Sequence, residues 1–211
     1  SDAAHSSVGD IVREYQEKYQ HIVYKKIENK GIAANTNAAA ELASGEYLAL
    51  ADHDDILAPH AMYTMGQAIR QLREAGEPDG FLYSDEALFT KKIEKPLVAH
   101  FKPDYAPDYL LCCNYICHLA VFRRELFEQV GGERPECDGS QDHDLFLRLI
   151  EQVGGAAHVP QVLYYWRVHA GSTSGGTGAK PYVAAAAQKA LADHLERTGR
   201  GSICRHERRI L

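Results

Sequence analysis

An alternation of short apolar strands with helices is the feature that most constrains the fold of this sequence. A strand predicted over 47–51 lies between an alanine-rich helix over 32–43 and a helix that Pro59 opens and that runs to about Glu74. Another apolar strand follows over 80–84. This order predicts an α/β fold with a mostly parallel sheet and helices on both of its faces.

The second half of the sequence is less regular. From 87 to 115 the alternation breaks down at three prolines, which predicts a long loop or an insertion. Glycine, serine and threonine over 171–178 predict another loop. The other predicted elements are a helix after Ser7 that runs to Tyr19, strands over 22–24, 118–122 and 162–168, and helices over 124–130, 141–153 and 181–197.

Composition excludes several classes of protein. The 211 residues carry a formal net charge of −6, which disfavours a protein that mainly grips nucleic acid or anionic lipid. The apolar stretches are shorter than the roughly 20 residues that a membrane span needs. The five cysteines include no Cys-x-x-Cys pair, so a zinc site or a disulfide framework is not expected and a reducing compartment is favoured.

The run Asp52-His53-Asp54-Asp55 directly follows the apolar strand over 47–51. Ligands of open α/β sheets bind at the carboxyl ends of strands. Three carboxylates at such an end repel one another, and a divalent cation would relieve that repulsion. The alternative is an acidic turn that caps the helix opened by Pro59, with Asp55 near its positive end.

Two further clusters contain polar residues whose spacing suits catalysis or the binding of a phosphate or metal. Asp142-His143-Asp144 begins a predicted helix, where Asp142 is either a general base that faces a cleft or part of an N-cap. Arg167 and His169 alternate along a strand and are followed by Ser172, an arrangement that suits phosphate oxygens or a metal. An ordinary aromatic-lined strand with two surface cations is the alternative.

A series of motifs extends over nearly the whole chain, to about residue 198. In order, they are Asn29-x-Gly31 with Asn35, residues 43–55 with Pro59, 83–86, 101–104, Asn114-Tyr115, Gly131-Gly132, 139–145 with Arg148, and 165–172. Together they resemble the nucleotide-sugar half of family 2 glycosyltransferases with the GT-A fold. The specificity lies in several motifs in the expected order, since no single one of them would suffice.

The resemblance implies a role for each candidate site residue. Asp54 would bind the metal, Mn²⁺ or Mg²⁺; Asp52 would face the ribose or a metal-bound water; and His169 is a further candidate ligand. The residues expected to contact the nucleotide-sugar donor are Asn29, Gly31, Asn35, Asp52, Arg167 and Ser172. Those expected on the acceptor side are Asp85, Glu86 and Trp166.

Asp142 matches the catalytic Asp of the family, which usually follows Glu, whereas Gln141 precedes it here. The resemblance therefore implies an inverting transfer of a sugar from a nucleoside-diphosphate sugar to a glycan or lipid-linked acceptor. Bacterial polysaccharide biosynthesis is the expected setting. We expect a cytoplasmic protein that can associate peripherally with the inner face of the membrane and that has no nucleic-acid partner.

Two other functions remain open at this point. A metal-dependent hydrolase is conceivable because the chain has two Asp-His-Asp runs and 11 histidines. A catalytically incomplete module that binds a glycan or another subunit is the second alternative, because the first strand–helix–strand of the family's fold has no counterpart here. We expect a GT-A domain over 1–198 that lacks this unit, as a fragment of an active enzyme, and a strand or linker over 199–211.

Overall fold

The computed structural model describes residues 7–169 and 181–200. The predicted loop over 171–178, Ser172 and the segment over 203–211 lie outside these residues. The helices are α1 (Val8–Lys18), α2 (Ile32–Ala40), α3 (Ala61–Ala75), α4 (Pro107–Cys112), α5 (Arg124–Gln129), α6 (Gln141–Val153) and α7 (Pro181–Arg197), with a 3-10 turn at Pro135–Cys137. The strands are β1 (Tyr47–Leu50), β2 (Ile56–Leu57), β3 (Phe81–Phe89), β4 (Val98–His100), β5 (Ala120–Arg123) and β6 (Ala157–Arg167).

These strands form one mixed sheet with the order β1-β5-β3-β6-β2, and β4 pairs with β3 outside this path. The α/β prediction is therefore confirmed, but the expected strand directions are not. Of the described pairs, β3 with β6 is parallel and the other four are antiparallel. The long connection after β3 reverses the chain, so β5 enters the sheet between β1 and β3 in the opposite direction.

The strand directions decide where ligand-binding groups can gather. Because β5 is antiparallel to both β1 and β3, β1 points the same way as β3 and as its parallel neighbour β6. The carboxyl ends of β1 and β6 therefore lie on the same edge of the sheet. The acidic run over 52–55 follows β1 at this edge, and Arg167 ends β6 there.

Both faces of the sheet are covered by apolar side chains, as expected for strands that lie between helices. Along β3, Phe81 and Tyr83 pack on one face with Phe146 of α6, while Leu82 packs on the other face with Met65 of α3. This alternation follows from the period of two in a strand. The sheet is thus a rigid platform for the groups at its edge.

Several local predictions differ from the structure. Residues 22–24 form no strand, since no described strand pairs with them. The predicted loop over 87–115 contains β4 and α4, and β3 continues through Asp85 and Glu86 to Phe89. The helices predicted over 141–153 and 181–197 are confirmed at both ends.

Helix length and polarity bear on membrane insertion. Over residues 7–169 and 181–200, none of the helices is both long enough and apolar enough to cross a bilayer.

Candidate active site

A cavity of about 790 Å³ opens at the edge of the sheet where β1 ends. Its walls come from α2, from β1 and the acidic run, from the loop before β5, from the start of α6 and from the end of β6. The polar residues that line it are Thr36, Asp52, His53, Asp54, Asn114, Cys117, His118, Glu133, Ser140, Gln141, Asp142, His143, Trp166, His169 and Tyr182. The cavity therefore brings together three groups that are far apart in the sequence, namely Asp52 with Asp54, Asp142, and Trp166 with His169.

Asp55, the last carboxylate of the acidic run, is bound to the end of β6. Its Oδ2 accepts a hydrogen bond from the Tyr164 hydroxyl and its Oδ1 accepts one from the Arg167 N–H, both at 2.7 Å. The helix after Pro59 begins at Ala61 with His60 as its N-cap, so Asp55 does not cap that helix. Asp55 instead fixes the acidic run against β6.

Asp54 and His169 form a pair at the cavity. His169 Nε2 lies 2.8 Å from Asp54 Oδ2, and the Asp54 side chain keeps 31% of its surface exposed. Burial on its own would raise the pKa of Asp54, but the hydrogen bond with His169 holds that pKa below its usual value. An accessible carboxylate next to an imidazole is a donor set that can bind a divalent cation.

A second group with metal-binding geometry lies beside this pair. One ligand atom each from Asp52, Asp55 and His118 lies within 4.8 Å of the others. Nδ1 of His118 is buried and finds no hydrogen-bond partner among the described residues. Both oxygens of Asp55 already accept hydrogen bonds, so the available carboxylates of the run are Asp52 and Asp54. The donor atoms present therefore fit a divalent cation.

Arg167 and Trp166, neighbours at the end of β6, differ in where they point. Trp166 lines the cavity. Arg167 donates from Nε to the Asp54 carbonyl at 2.6 Å, and its guanidinium lies over the Phe89 ring at 4.5 Å from the centroid. In this conformation Arg167 stabilises the backbone of the acidic run. Its contact with the diphosphate, expected from the sequence, stays a prediction. Ser172 lies outside the described residues.

The two aspartates in the first turn of α6, Asp142 and Asp144, lie in different environments. Ser140 is the N-cap residue, so Asp142 lies inside the helix and its side chain is available to the cavity. Asp144 is fully buried, and both Arg134 and Arg148 donate to its carboxylate. Burial on its own would raise the pKa of Asp144, but the two guanidinium groups hold it below the usual value.

The Asp142 carboxylate is held by two donors. Asn114 Nδ2 donates to Asp142 Oδ2 at 2.8 Å, and the His143 N–H donates to Asp142 Oδ1 at 2.8 Å. The contact between Asn114 and Asp142 spans 28 residues of sequence. No spacing rule could have revealed it, since only the fold brings the loop before β5 to the start of α6.

The predicted donor-binding residues Asn29, Gly31 and Asn35 lie together at the start of α2. Asn29 Oδ1 accepts hydrogen bonds from the Gly31 N–H at 3.1 Å and from Asn35 Nδ2 at 2.8 Å. Gly31 has φ +105°, and a Cβ there would lie 2.4 Å from Asp138 Oδ2. Asp138 accepts hydrogen bonds from the first two N–H groups of α2 at 3.3 and 2.9 Å. The glycine therefore allows Asp138 to cap α2.

These three residues do not lie among the described residues that line the large cavity. Asn35 instead lines a smaller depression of about 300 Å³ on the other side of α2, with Ile27, Glu28, Lys30, Ala34 and Ala38. The structure thus groups Asn29, Gly31 and Asn35 with one another, apart from Asp54 and Asp142.

Asp85 and Glu86, the carboxylates predicted for the acceptor side, are buried in the middle of β3. Asp85 Oδ1 accepts from the Lys102 N–H and bonds with His158 Nε2, each at 2.9 Å. Glu86 Oε2 accepts from Lys102 Nζ at 3.1 Å. Both carboxylates are paired behind the cavity wall, so neither is presented to an acceptor in this conformation.

Glu133 is a cavity residue that sequence reasoning missed. It is 3% exposed, and its Oε2 has no hydrogen-bond partner among the described residues. Burial, together with the nearby charge of Asp142, raises the pKa of Glu133 to about 8. Because Glu133 directly follows two glycines at a helix end, its sequence context is that of an exposed turn.

Comparison with known proteins identifies the family. The model of the family described as "Glycosyl transferase family 2" matches residues 2–131. The chain belongs to this family. The matched residues include the acidic run and Asn114, whereas Asp142 and His169 lie beyond the match. This family assignment confirms the resemblance found in the sequence, and the chain is a glycosyltransferase by family.

Similar curated proteins extend over most of this chain. "Uncharacterized protein y4gI" of Sinorhizobium fredii is 39% identical over 201 residues, which cover 93% of this chain and 21% of that protein. "O-antigen biosynthesis protein RfbC" of Myxococcus xanthus is 34% identical over 191 residues, covering 90% of this chain and 14% of that protein. The chain therefore spans about a fifth or less of the length of these two relatives.

Solved structures confirm the fold class. The structure of S. aureus TarS 1–349 in complex with UDP-GlcNAc matches with a TM-score of 0.68 at 14% identity, over 92% of this chain and 55% of that chain. The mannosyltransferase PcManGT from Pyrobaculum calidifontis, in complex with GDP-Man and Mn²⁺, matches with a TM-score of 0.55 at 17% identity, over 94% of this chain and 64% of that chain. The chain thus has the GT-A glycosyltransferase fold that its sequence predicted.

Proposed function

We propose that this chain is the catalytic part of an inverting, metal-dependent glycosyltransferase that moves a sugar from a nucleoside-diphosphate sugar to a hydroxyl of a glycan or a lipid-linked acceptor. One observation carries the proposal. The pair of Asp54 and His169 and the carboxylate of Asp142 line the same cavity, as a cation site and a proton acceptor must in such a reaction. The volume of about 790 Å³ lies within the range of ligand pockets.

The donor end of the cavity is the acidic run. When the bond to the sugar breaks, negative charge gathers on the leaving diphosphate. A Mn²⁺ or Mg²⁺ ion held by Asp54 and His169, with Asp52 beside them, would neutralise that charge. The structural neighbour PcManGT is in complex with both GDP-Man and Mn²⁺, which supports this assignment.

Asp142 is the group proposed to accept the proton of the acceptor hydroxyl. Its carboxylate lies at the start of α6 and lines the cavity, and its neighbour Asp144 is already neutralised by two arginines. A single base that acts on the acceptor, opposite the leaving group, leads to inversion at the anomeric carbon. Trp166 lines the same cavity and is proposed to pack against the acceptor.

The biological setting is proposed from the relatives. RfbC of Myxococcus xanthus is named an O-antigen biosynthesis protein, and a 24% identical relative over 80% of this chain is named chondroitin synthase of Escherichia coli. We therefore propose that the product is a bacterial polysaccharide, made in the cytoplasm at the inner face of the membrane.

Metal-dependent binding of the donor tests the proposal. The purified protein is expected to gain thermal stability with UDP-GlcNAc or GDP-mannose when Mn²⁺ is present, because a ligand that binds only the folded form stabilises it. Asp54→Ala is expected to lose the Mn²⁺-dependent part of this gain. Asp10→Ala on α1, outside the cavity, is the matched control and is expected to keep it.

Three results would contradict the proposal. If the donor raises the melting temperature equally in Mn²⁺ and in EDTA, donor binding does not depend on a metal ion. Release of free sugar at the same rate with and without glycan or lipid-linked acceptors would instead indicate a hydrolase. If neither a panel of nucleotide sugars nor the nucleoside diphosphates stabilises the protein, the proposed transfer reaction is wrong.

A further inference from the structure

The loop over 113–118, between α4 and β5, forms one wall of the cavity. It contributes Asn114, Cys117 and His118 to the lining. Of these, Asn114 contacts the proposed base directly, since its Nδ2 lies 2.8 Å from Asp142 Oδ2. A side chain that bonds to the base without being part of α6 can control the base only if it is itself held in place.

Cys117 fixes the orientation of the Asn114 side chain. The Cys117 N–H donates to Asn114 Oδ1 at 3.4 Å, and the Cys117 thiol donates to the Asn114 carbonyl at 2.9 Å. Because the amide oxygen of Asn114 accepts the backbone N–H, the amide nitrogen is the end that faces Asp142. The contact is therefore a donor–acceptor pair with defined direction.

A buried ion pair holds the rest of the loop. Lys102 Nζ donates to the carbonyls of Ile116 and His118 and lies 3.1 Å from Glu86 Oε2. The same Glu86 oxygen accepts from the His118 N–H at 3.3 Å. Lys102 and Glu86 are 8% and 3% exposed, and breaking a pair buried to this degree is strongly destabilising. The pair thus anchors the loop to β3.

We propose that Asn114 is a positioning residue for Asp142, and that the ion pair of Glu86 and Lys102 holds the loop that presents it. This inference rests on the proposed function, because it takes Asp142 as the base. It also assigns Glu86 a different task from the acceptor contact expected from the sequence. The proposed role consists of one hydrogen bond, from Asn114 Nδ2 to Asp142 Oδ2, that fixes the direction of the base in the cavity.

The pH dependence of turnover is the readout that a merely structural role would not change. Loss of a donor to a carboxylate makes the carboxylate a stronger proton acceptor, so the acid limb of the rate profile moves to higher pH. The other titratable groups around Asp142 are Glu133, Asp52, His143 and Cys117. All of them remain in the Asn114 variants. Asn114→Ala removes the bond to Asp142 and the bond that Asn114 Oδ1 accepts from the Cys117 N–H.

Asn114→Ala is expected to lower kcat by about 10-fold or more and to move the acid limb of the rate profile to higher pH. The KM for UDP-GlcNAc or GDP-mannose is expected to change less than kcat. Asn114→Asp keeps the shape of the side chain and places a carboxylate against Asp142. It is expected to move the limb further in the same direction, since like charges disfavour ionisation.

Asn37→Ala is the matched control. Asn37 is a partly buried amide near the same cavity, and its side chain exchanges two hydrogen bonds, both of 2.8 Å, with the backbone of Glu133. Its loss is expected to lower stability without moving the acid limb. An unmoved limb in both Asn114 variants would overturn the positioning role. Wild-type turnover in Asp142→Asn would overturn the assignment of the base, and with it the proposed mechanism, so the two failures are distinguishable.

Discussion

The two Asp-His-Asp runs of this chain have the same sequence pattern but resolve the repulsion between their carboxylates in different ways. In the run over 142–144, Asp144 is fully buried between Arg134 and Arg148, and Asp142 faces the cavity. In the run over 52–55, Asp55 accepts hydrogen bonds from the Tyr164 hydroxyl and from a backbone N–H, whereas Asp54, next to His169, stays partly exposed at the cavity.

In each run, one carboxylate is structural and at least one is available to the cavity. The structural one has its charge compensated by donors of the protein itself, by two guanidiniums at Asp144 and by neutral donors at Asp55. The available ones, Asp142 and the pair of Asp52 with Asp54, line the cavity. Substituting Asn at each position removes a charge with little change of shape, so it separates the two kinds of carboxylate.

The largest expected effect is on activity at Asp142. Asp142→Asn is expected to lower turnover by about 100- to 10,000-fold, the usual contribution of a general base, while donor binding stays close to wild type. Release of nucleoside diphosphate in the presence of acceptor measures the first, and calorimetry with the donor and Mn²⁺ measures the second. Turnover within a few-fold of wild type would mean that another group is the base.

Asp144→Asn is expected to act on stability instead. It leaves Arg134 and Arg148 facing a neutral group in the interior, and breaking a buried charge pair in this way costs about 3–5 kcal/mol. Chemical denaturation measures the loss. A variant that is as stable as wild type but inactive would show that Asp144 is a catalytic group. It would contradict the structural role given to Asp144.

Asp55→Asn is expected to have a smaller effect on stability, about 1–3 kcal/mol, because its partners Tyr164 and the Arg167 N–H are uncharged. Asp54→Asn, at a partly exposed carboxylate, is the matched control and is expected to cost about 1 kcal/mol or less. Thermal denaturation without metal compares the two. The reverse order of stabilities would mean that Asp54, not Asp55, fixes the acidic run.

The smallest effect concerns Glu133 and depends on pH. Its pKa of about 8 in the folded protein is above its ordinary value of 4.5, so its favourable contribution is complete below about pH 4.5 and is lost as the pH rises through 8. Glu133→Gln is therefore expected to melt a few degrees higher than wild type at pH 9, since about 1 kcal/mol shifts Tm by about 2–4 °C in a domain of this size.

The same two proteins are expected to melt at nearly equal temperatures at pH 5, where Glu133 is protonated in the folded state. A difference in Tm that stays constant from pH 5 to pH 9 would contradict the raised pKa. It would indicate that the substitution acts through packing alone.

Several features of the fold and site were predictable because they depend on neighbours in the sequence. The limits of α6 and α7 follow from apolar spacing over 13 and 17 residues. The acidic run after β1 marked one wall of the cavity. The strand directions were not predictable in the same way, because β5 reaches its place between β1 and β3 only through the long connection after β3.

The residues of the candidate site also differ in whether the sequence alone could identify their role. Trp166, Asp52, Asp54, His169 and Asp142 were singled out from the sequence, and the structure places all of them around one cavity. Asp85 and Glu86 were singled out as well, but they are buried and paired with His158 and Lys102. A carboxylate at a predicted strand end looks the same in the sequence whether its partner is water, a ligand or a buried lysine.

The sequence by itself determined the α/β class, the family and the two acidic runs, because these are properties of residue type and local order. Only the tertiary structure decided which carboxylate of each run is compensated, that Asn114 bonds to Asp142, and that Glu133 is buried beside it. The physical reason is that the partners of Asp55 and the Asn114 partner of Asp142 lie at least 28 residues away in the sequence, and the fold alone brings them within hydrogen-bond distance.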